Sequence, residues 1–383
     1  MPKLTIEDFE ARQSALLDLL RALVEMESPT EDKAAIDRLG LRVADEMTRR
    51  GAAVERRPQT DAGDHWVGRW GKGPHGILMM CHLDTVHPHG TLAQLPWRVE
   101  GDRLFGPGVM DMKGGLALAL VAIEALRHAG ELPDRPITVL CTSDEESGSE
   151  RSRPLIESLA AEHSLVLCLE PGMADGSVKT WRKGIGVFTL EVAGRAAHAG
   201  VEPEKGINAI VEASRQVPAI MALQNPEKGT TVNLGVIQGG TYSNVVPAQC
   251  RVEIDVRVLD PAETSRIERG LSSLQPSLPG SQIRISGGWN RPPMPRSEII
   301  GATFEAVRRY ARALGMELTE GGTGGGSDAN FVAPLGVSLL DGLGPVGGGA
   351  HSLQEHLLLS SLAPRAALLA AILTDWEFSP AAP

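Results

Sequence analysis

Aromatic residues are scarce. Phe, Trp and Tyr make up 4% of the 383 residues, so core packing falls to Leu, Val, Ile and Ala within a hydrophobic content of 42%. Cysteine is also rare. Cys81, Cys141, Cys168 and Cys250 form no CxxC pair, and three of them sit inside apolar, strand-like runs. This reads as buried free thiols in a reducing compartment rather than a disulfide framework. A basic excess is missing too: the formal net charge is -11. Nucleic acid is therefore disfavoured as a partner, since phosphate binding needs clustered Lys and Arg. No stretch of 18 apolar residues is present, which excludes a membrane-spanning helix. The first residues, MPKLTIEDFEARQSALLDLL, carry acids early and lack the apolar core of a secretory signal, so the cytoplasm is the expected location. Internal repeats and low-complexity tracts are absent.

The length suggests two domains. Residues 8–25 and 33–50 have apolar positions at helical spacing (Leu16, Leu20, Leu23; Ile36, Leu39, Val43, Met47), with Ser28-Pro29-Thr30 between them as a stop and cap signal. Short apolar runs without alternation follow at Ile77–Cys81, Ile137–Cys141, Leu165–Leu169 and Val337–Leu340, as in strands buried on both faces of a mostly parallel sheet. Gly115–Ala129 is a helix with Gly130 as its stop. The class is α/β, a mostly parallel sheet sandwiched by helices. Residues 187–286 read differently, as strand, helix, strand, strand, helix, strand. That is the ferredoxin-like α+β unit, inserted because α/β character resumes at Glu298–Leu314 and at the closing helix Leu362–Trp376. The expected division is residues 1–180 and 295–383 for the catalytic domain and 181–294 for the insertion; one continuous α/β domain is the alternative.

Acids and histidines cluster where the buried runs end. Ile77–Cys81 leads into His82-Leu83-Asp84, Ile137–Thr142 into Asp144-Glu145-Glu146, and Leu165–Leu169 into Glu170. The carboxyl ends of strands are where an open α/β sheet binds ligands. Crowded carboxylates repel, and a divalent cation would neutralise them. Zinc accepts imidazole and carboxylate together, with Asp84 placed to hold the second ring nitrogen of His82. Asp111, in GPGVMDMKGG, fits either a bridge between two metals or an acid at a helix N-terminus. Of Glu145 and Glu146, one can bind metal while the other stays free as a general base; a solvated acidic loop is the plainer alternative. The glycine-rich GGTGGGSDAN lacks the GK[ST] ending of a phosphate loop and suits close backbone approach to a substrate. His351, on a second glycine run, is available to complete a ligand set.

Taken in order, MMCHLDTV, GPGVMDMKGG, TSDEESGS, LEP, GRAAHAG, SNVVPA, DVRVLD, TGGGSDAN and AHS resemble the dinuclear zinc peptidase family that includes glutamate carboxypeptidase, acetylornithine deacetylase, succinyl-diaminopimelate desuccinylase and aminoacylase. The glutamate carboxypeptidase branch is nearest in wording. The resemblance implies two Zn2+ per subunit, with Co2+ or Mn2+ as replacements. His82 and Glu170 would bind one ion, Glu146 and His351 the other, and Asp111 both. It also implies Asp84 orienting His82, Glu145 as the base, and His198 stabilising the oxyanion across a homodimer formed by the inserted lid domain. Asn244, Arg257 and Arg291 would hold the substrate carboxylate, with Gly325 and Gly326 lining the pocket. The implied reaction releases a free-carboxylate amino acid from a small peptide, with N-acyl-amino-acid deacylation as the alternative. Segment 172–184 departs from the glutamate carboxypeptidase pattern, which leaves the residues reading the substrate's side chain unassigned.

Overall fold

The computed structural model describes residues 2–377. The described residues divide into two compact units, one made of 2–180, 296–323 and 327–377, the other of 181–295 and 324–326.

Among the described residues, the larger unit is built on an eight-stranded sheet in the order Ala53–Arg57, His65–Trp70, Ile137–Thr142, Ile77–His82, Leu165–Cys168, Ser338–Asp341, Val178–Arg182, Glu320–Thr323. The central four strands are parallel. All six residues of Ile77–His82 and of Ile137–Thr142 are buried, which is why these runs lack alternation. Antiparallel strands extend the sheet on both sides. Helices flank it. Gly114–Ala129 is buried along most of its length and packs with the closing helix Leu362–Asp375 and with Gln13–Val24. A Cβ on Gly115 would collide with the Leu169 carbonyl oxygen. Only glycine lets this helix lie so close to the segment that carries Glu170.

The expected helix over 8–25 is interrupted, running Ile6–Glu10 and then Gln13–Val24. The Arg12 guanidinium takes the Asp8 carbonyl, and the Arg12 amide turns to Phe9 O instead (3.1 Å). The cap of the next helix is Asp32, whose side chain accepts from Ala35 N, and not the Ser28–Thr30 segment. Ser28 and Thr30 serve the sheet edge instead: Ser28 Oγ donates to Leu83 O (2.7 Å) and Thr30 Oγ1 to Asp84 Oδ2 (3.0 Å).

The smaller unit has strands Gly184–Ala193, Thr231–Gly239, Gln249–Val258 and Gln282–Arg291 with helices Ala209–Met221 and Pro261–Ser272. Counted along the chain, the antiparallel strands lie in the order second, third, first, fourth, the ferredoxin-like arrangement. Val252, Ile254, Val256 and Val258 are buried with Ile267 and Leu271 of the second helix, while Arg251, Glu253, Asp255 and Arg257 alternate onto the other face.

Candidate metal centre

Three neighbouring parallel strands end at one edge of the large sheet. His82 stands opposite Thr142, and Met80 opposite Cys168, so His82, the Glu145–Glu146 turn and Glu170 emerge together. Asp111 enters from the loop before Gly114–Ala129, and His351 from the turn after the Gly347–Gly348 strand.

His82 is buried and its ring is fixed at both nitrogens. Nδ1 lies 2.9 Å from the backbone carbonyl of Asp84, with that residue's carboxylate at 3.5 Å. Nε2 lies 3.2 Å from Asp111 Oδ1 and 3.7 Å from Glu170 Oε1. His351 Nε2 lies 3.4 Å from Asp111 Oδ2 and 3.3 Å from Glu146 Oε2. The two oxygens of one carboxylate thus face two different histidines, each accompanied by a further glutamate. Ligand atoms of His82, Asp111 and Glu146, and of His82, Glu145 and Glu170, fall within 4.8 Å of one another. The Asp84 carboxylate accepts from the amides of Glu145 (3.3 Å) and Glu146 (3.1 Å), tying the acidic turn to the strand that carries His82.

The electrostatics call for cations. Burial opposes charge on His82, yet hydrogen bonds to Asp111 and Asp84 and the charges of Asp84 and Glu145 hold its pKa well above the usual imidazole range. Hydrogen bonds to Asp111 and Glu146 raise His351 to about 10 against the pull of burial. Burial would raise Asp111, but His351 and His82 keep it well below the ordinary carboxylate range. Asp84, Asp111, Glu145, Glu146 and Glu170 set five carboxyl groups against two imidazoles, a crowding of acids that a divalent cation relieves. Imidazole nitrogen with carboxylate oxygen is a donor set suited to zinc, so the residues present fit the group.

The other predicted residues lie in the smaller unit. His198 is exposed, and its Nδ1 accepts from Gly200 N (3.1 Å), which puts the proton of the neutral ring on Nε2. His198 bridges to Val245, and Asn244 O accepts from Ala199 N (2.9 Å), so His198 and Asn244 sit on paired segments. Arg257 makes three hydrogen bonds to Asp255, two residues back on its own strand, at 2.8 to 3.1 Å. Arg291 is buried, and a Cβ on Gly326 would come within 2.7 Å of its Cδ. Arg182 Nη1 donates to the Gly325 and Gly326 carbonyls. Sequence reasoning missed Thr30, His87 and Glu355, all of which brace the centre through hydrogen bonds that no local pattern announces.

A family model described as Peptidase family M20/M25/M40 matches residues 78–375. The chain belongs to this family. Its curated M20 relatives include carboxypeptidase G2 of Pseudomonas sp. (35% identical, covering 94% of this chain and 88% of the relative). A succinyl-diaminopimelate desuccinylase of Alkalilimnicola ehrlichii is 28% identical, over 91% of this chain and 96% of the relative. Among solved structures, aminopeptidase PepT of Bacillus cereus superposes with a TM-score of 0.77 (23% identity, 94% and 98% covered). The M20 metallo-carboxypeptidase of Sulfolobus solfataricus superposes at 0.72 (16% identity, 94% and 98% covered). These likenesses bear out the α/β fold, and the M20 match makes the chain a metal-dependent hydrolase of the metallopeptidase class. Among the described residues, no helix is long and apolar enough to cross a membrane.

Proposed function

We propose that the chain is a two-metal amidohydrolase that releases a free-carboxylate amino acid from a small peptide, in the manner of a carboxypeptidase. The observation that carries this reading is the Asp111 carboxylate, with one oxygen toward His82 and the other toward His351. His82 and Glu170 would hold one divalent ion, Glu146 and His351 the other, with Asp111 shared. The nitrogen and oxygen donors favour Zn2+, and Co2+ or Mn2+ would be accepted by the same set. Two such ions would lower the pKa of water and polarise the scissile carbonyl.

Glu145 is assigned the general base. It accepts the proton of the attacking water and passes it to the leaving amine. Its turn is held by Asp84, and a carboxylate oxygen of Glu145 lies within 4.8 Å of the ligand atoms of His82 and Glu170. His198, with Nε2–H free to donate, is assigned to the developing oxyanion; a donor of this kind contributes about 3–4 kcal/mol. Asn244, Arg257 and Arg291 are assigned to the substrate carboxylate, with the Gly325–Gly326 backbone lining that pocket. Arginine suits a carboxylate because its planar fork binds both oxygens.

We further assign the smaller unit as a lid that forms a homodimer and supplies His198 to the second copy of the chain. Its strand Thr231–Gly239 is a sheet edge, with Ile237 57% exposed and Val236 40% exposed, beside Tyr242 at 76%. Four buried free thiols support a cytoplasmic setting. The desuccinylase relatives favour a second reading, an N-acyl-amino-acid deacylase using the same centre with a different acyl pocket. Metal content and hydrolysis of a panel of C-terminal glutamate and aspartate conjugates and N-acyl amino acids, before and after chelation, decide between them. Cleavage of the conjugates that is lost on chelation is the expected result. Hydrolysis of N-acetyl or N-succinyl amino acids alone would establish the second reading, and turnover indifferent to chelation would end both.

A further inference from the structure

Glu355 makes contacts that the proposed ligand set leaves unexplained. It is 1% exposed and lies four residues after His351. Its Oε1 accepts from the amides of Met110 (2.9 Å) and Asp111 (3.0 Å). Its Oε2 accepts from the amide of Gly108 (2.8 Å) and faces Nε2 of buried His87 at 2.7 Å. One carboxylate therefore satisfies three amides of the loop that presents Asp111, including the amide of Asp111 itself.

The chain on each side of Glu355 is constrained as well. Toward His351, Ser352 N bonds Gly349 O and Glu355 N bonds Ser352 O, both at 3.1 Å. On the other side, the strand His356–Leu358 pairs with Arg103–Phe105, His356 opposite Phe105, directly before the loop that leads to Asp111. The loops carrying Asp111 and His351 therefore meet at Glu355. A buried carboxylate with four donors resists displacement, because losing it would leave buried amides unpaired.

We propose that Glu355, braced by His87, is the positioning residue of the metal centre: it fixes the Asp111 loop against the His351 turn, so that each Asp111 oxygen faces its own histidine. This inference rests on the two-metal reading above. Glu355 takes no part in binding the ions or moving protons. In Glu355→Gln, the side-chain NH2 meets either the Gly108 amide or the Met110 and Asp111 amides, and in each case a donor faces a donor.

The test uses the full-length protein, stripped of metal and then titrated with Zn2+ or Co2+. Glu355→Gln is expected to speed amide hydrogen exchange in the segment around 106–112 of the metal-free protein, with the rest of the chain unchanged. Zn2+ affinity is expected to fall roughly 10–100-fold, as for other partners that orient metal ligands. The visible spectrum of the Co2+ form should shift, and kcat should fall with KM nearly unchanged. Glu355→Ala should behave the same way; if it does not fold, the glutamine variant decides. Unchanged exchange and metal affinity would overturn the inference. So would uniform loss of protection across the chain, or failure of both variants to fold, since either marks a residue needed only for folding. Wild-type protein that takes up no ion would remove the two-metal reading and this inference with it. Wild-type protein that loads normally beside an indifferent Glu355→Gln removes the inference alone.

Discussion

In the proposed mechanism, Asp111 and Glu145 divide the carboxylate chemistry of the centre. Asp111 is held by its own amide at Glu355 and aims its oxygens at two histidines, whereas the Glu145–Glu146 turn is tied by its amides to the Asp84 carboxylate. Glu145→Gln keeps the size and removes the base. It should retain the metal while losing at least about two decades in kcat, read by metal analysis beside steady-state kinetics. Near-normal turnover would take Glu145 out of the mechanism. A second prediction concerns Glu212, buried in the smaller unit. Its carboxylate accepts from Ser277 N, Leu278 N, Ser281 Oγ and Gln216 Nε2, anchoring the loop before the strand that ends in Arg291. Burial would raise its pKa, but these donors lower it to about 2. A lowered folded-state pKa gives stability that is complete above the unfolded value near 4.5 and is lost as pH falls toward 2. Glu212→Ala should cost about 3 kcal/mol at neutral pH and remove that acid-sensitive part. Denaturant titrations at pH 7 and pH 3 check both, and equal loss at both pH values would contradict the assignment.

The elements differ in how plainly the sequence announces them. Runs such as Ile77–His82 are legible because strands buried on both faces need apolar residues throughout, and the site residues follow because chemistry collects where those strands end. The antiparallel strands Ala53–Arg57 and His65–Trp70 were not legible. AVERR is the edge strand and carries charge as edges do, while HWVGRW, paired on both sides and mostly buried, mixes charge, glycine and large apolar residues that give no strand pattern. The break at Arg12 and the cap at Asp32 depend on single side-chain bonds, which hydrophobic periodicity does not encode. Glu355 and His87 were invisible for a related reason: they meet across 268 residues, and buried carboxylates carry no local signature. Gly115 gives an element-scale prediction. Alanine there is a fine helix former, yet its Cβ meets the Leu169 carbonyl, so helix and strand must separate. Gly115→Ala should destabilise by about 1–3 kcal/mol, read by thermal unfolding, and should weaken metal binding through Glu170. A stabilised variant would contradict the close packing.

For the whole molecule, the proposal requires two copies of the chain for one complete site. His198→Ala and Glu145→Gln homodimers should each be nearly inactive, and mixing them with subunit exchange should restore part of the activity, because mixed dimers hold one intact site. No recovery after exchange would argue against donation across the dimer. The central claim, that one carboxylate serves two ions, is tested most directly by crystals grown with Zn2+ and measured at the zinc absorption edge. The account predicts two anomalous peaks roughly 3.5–4 Å apart with Asp111 between them, His82 and Glu170 on one side, Glu146 and His351 on the other. A single peak, or two peaks that Asp111 does not join, would contradict it.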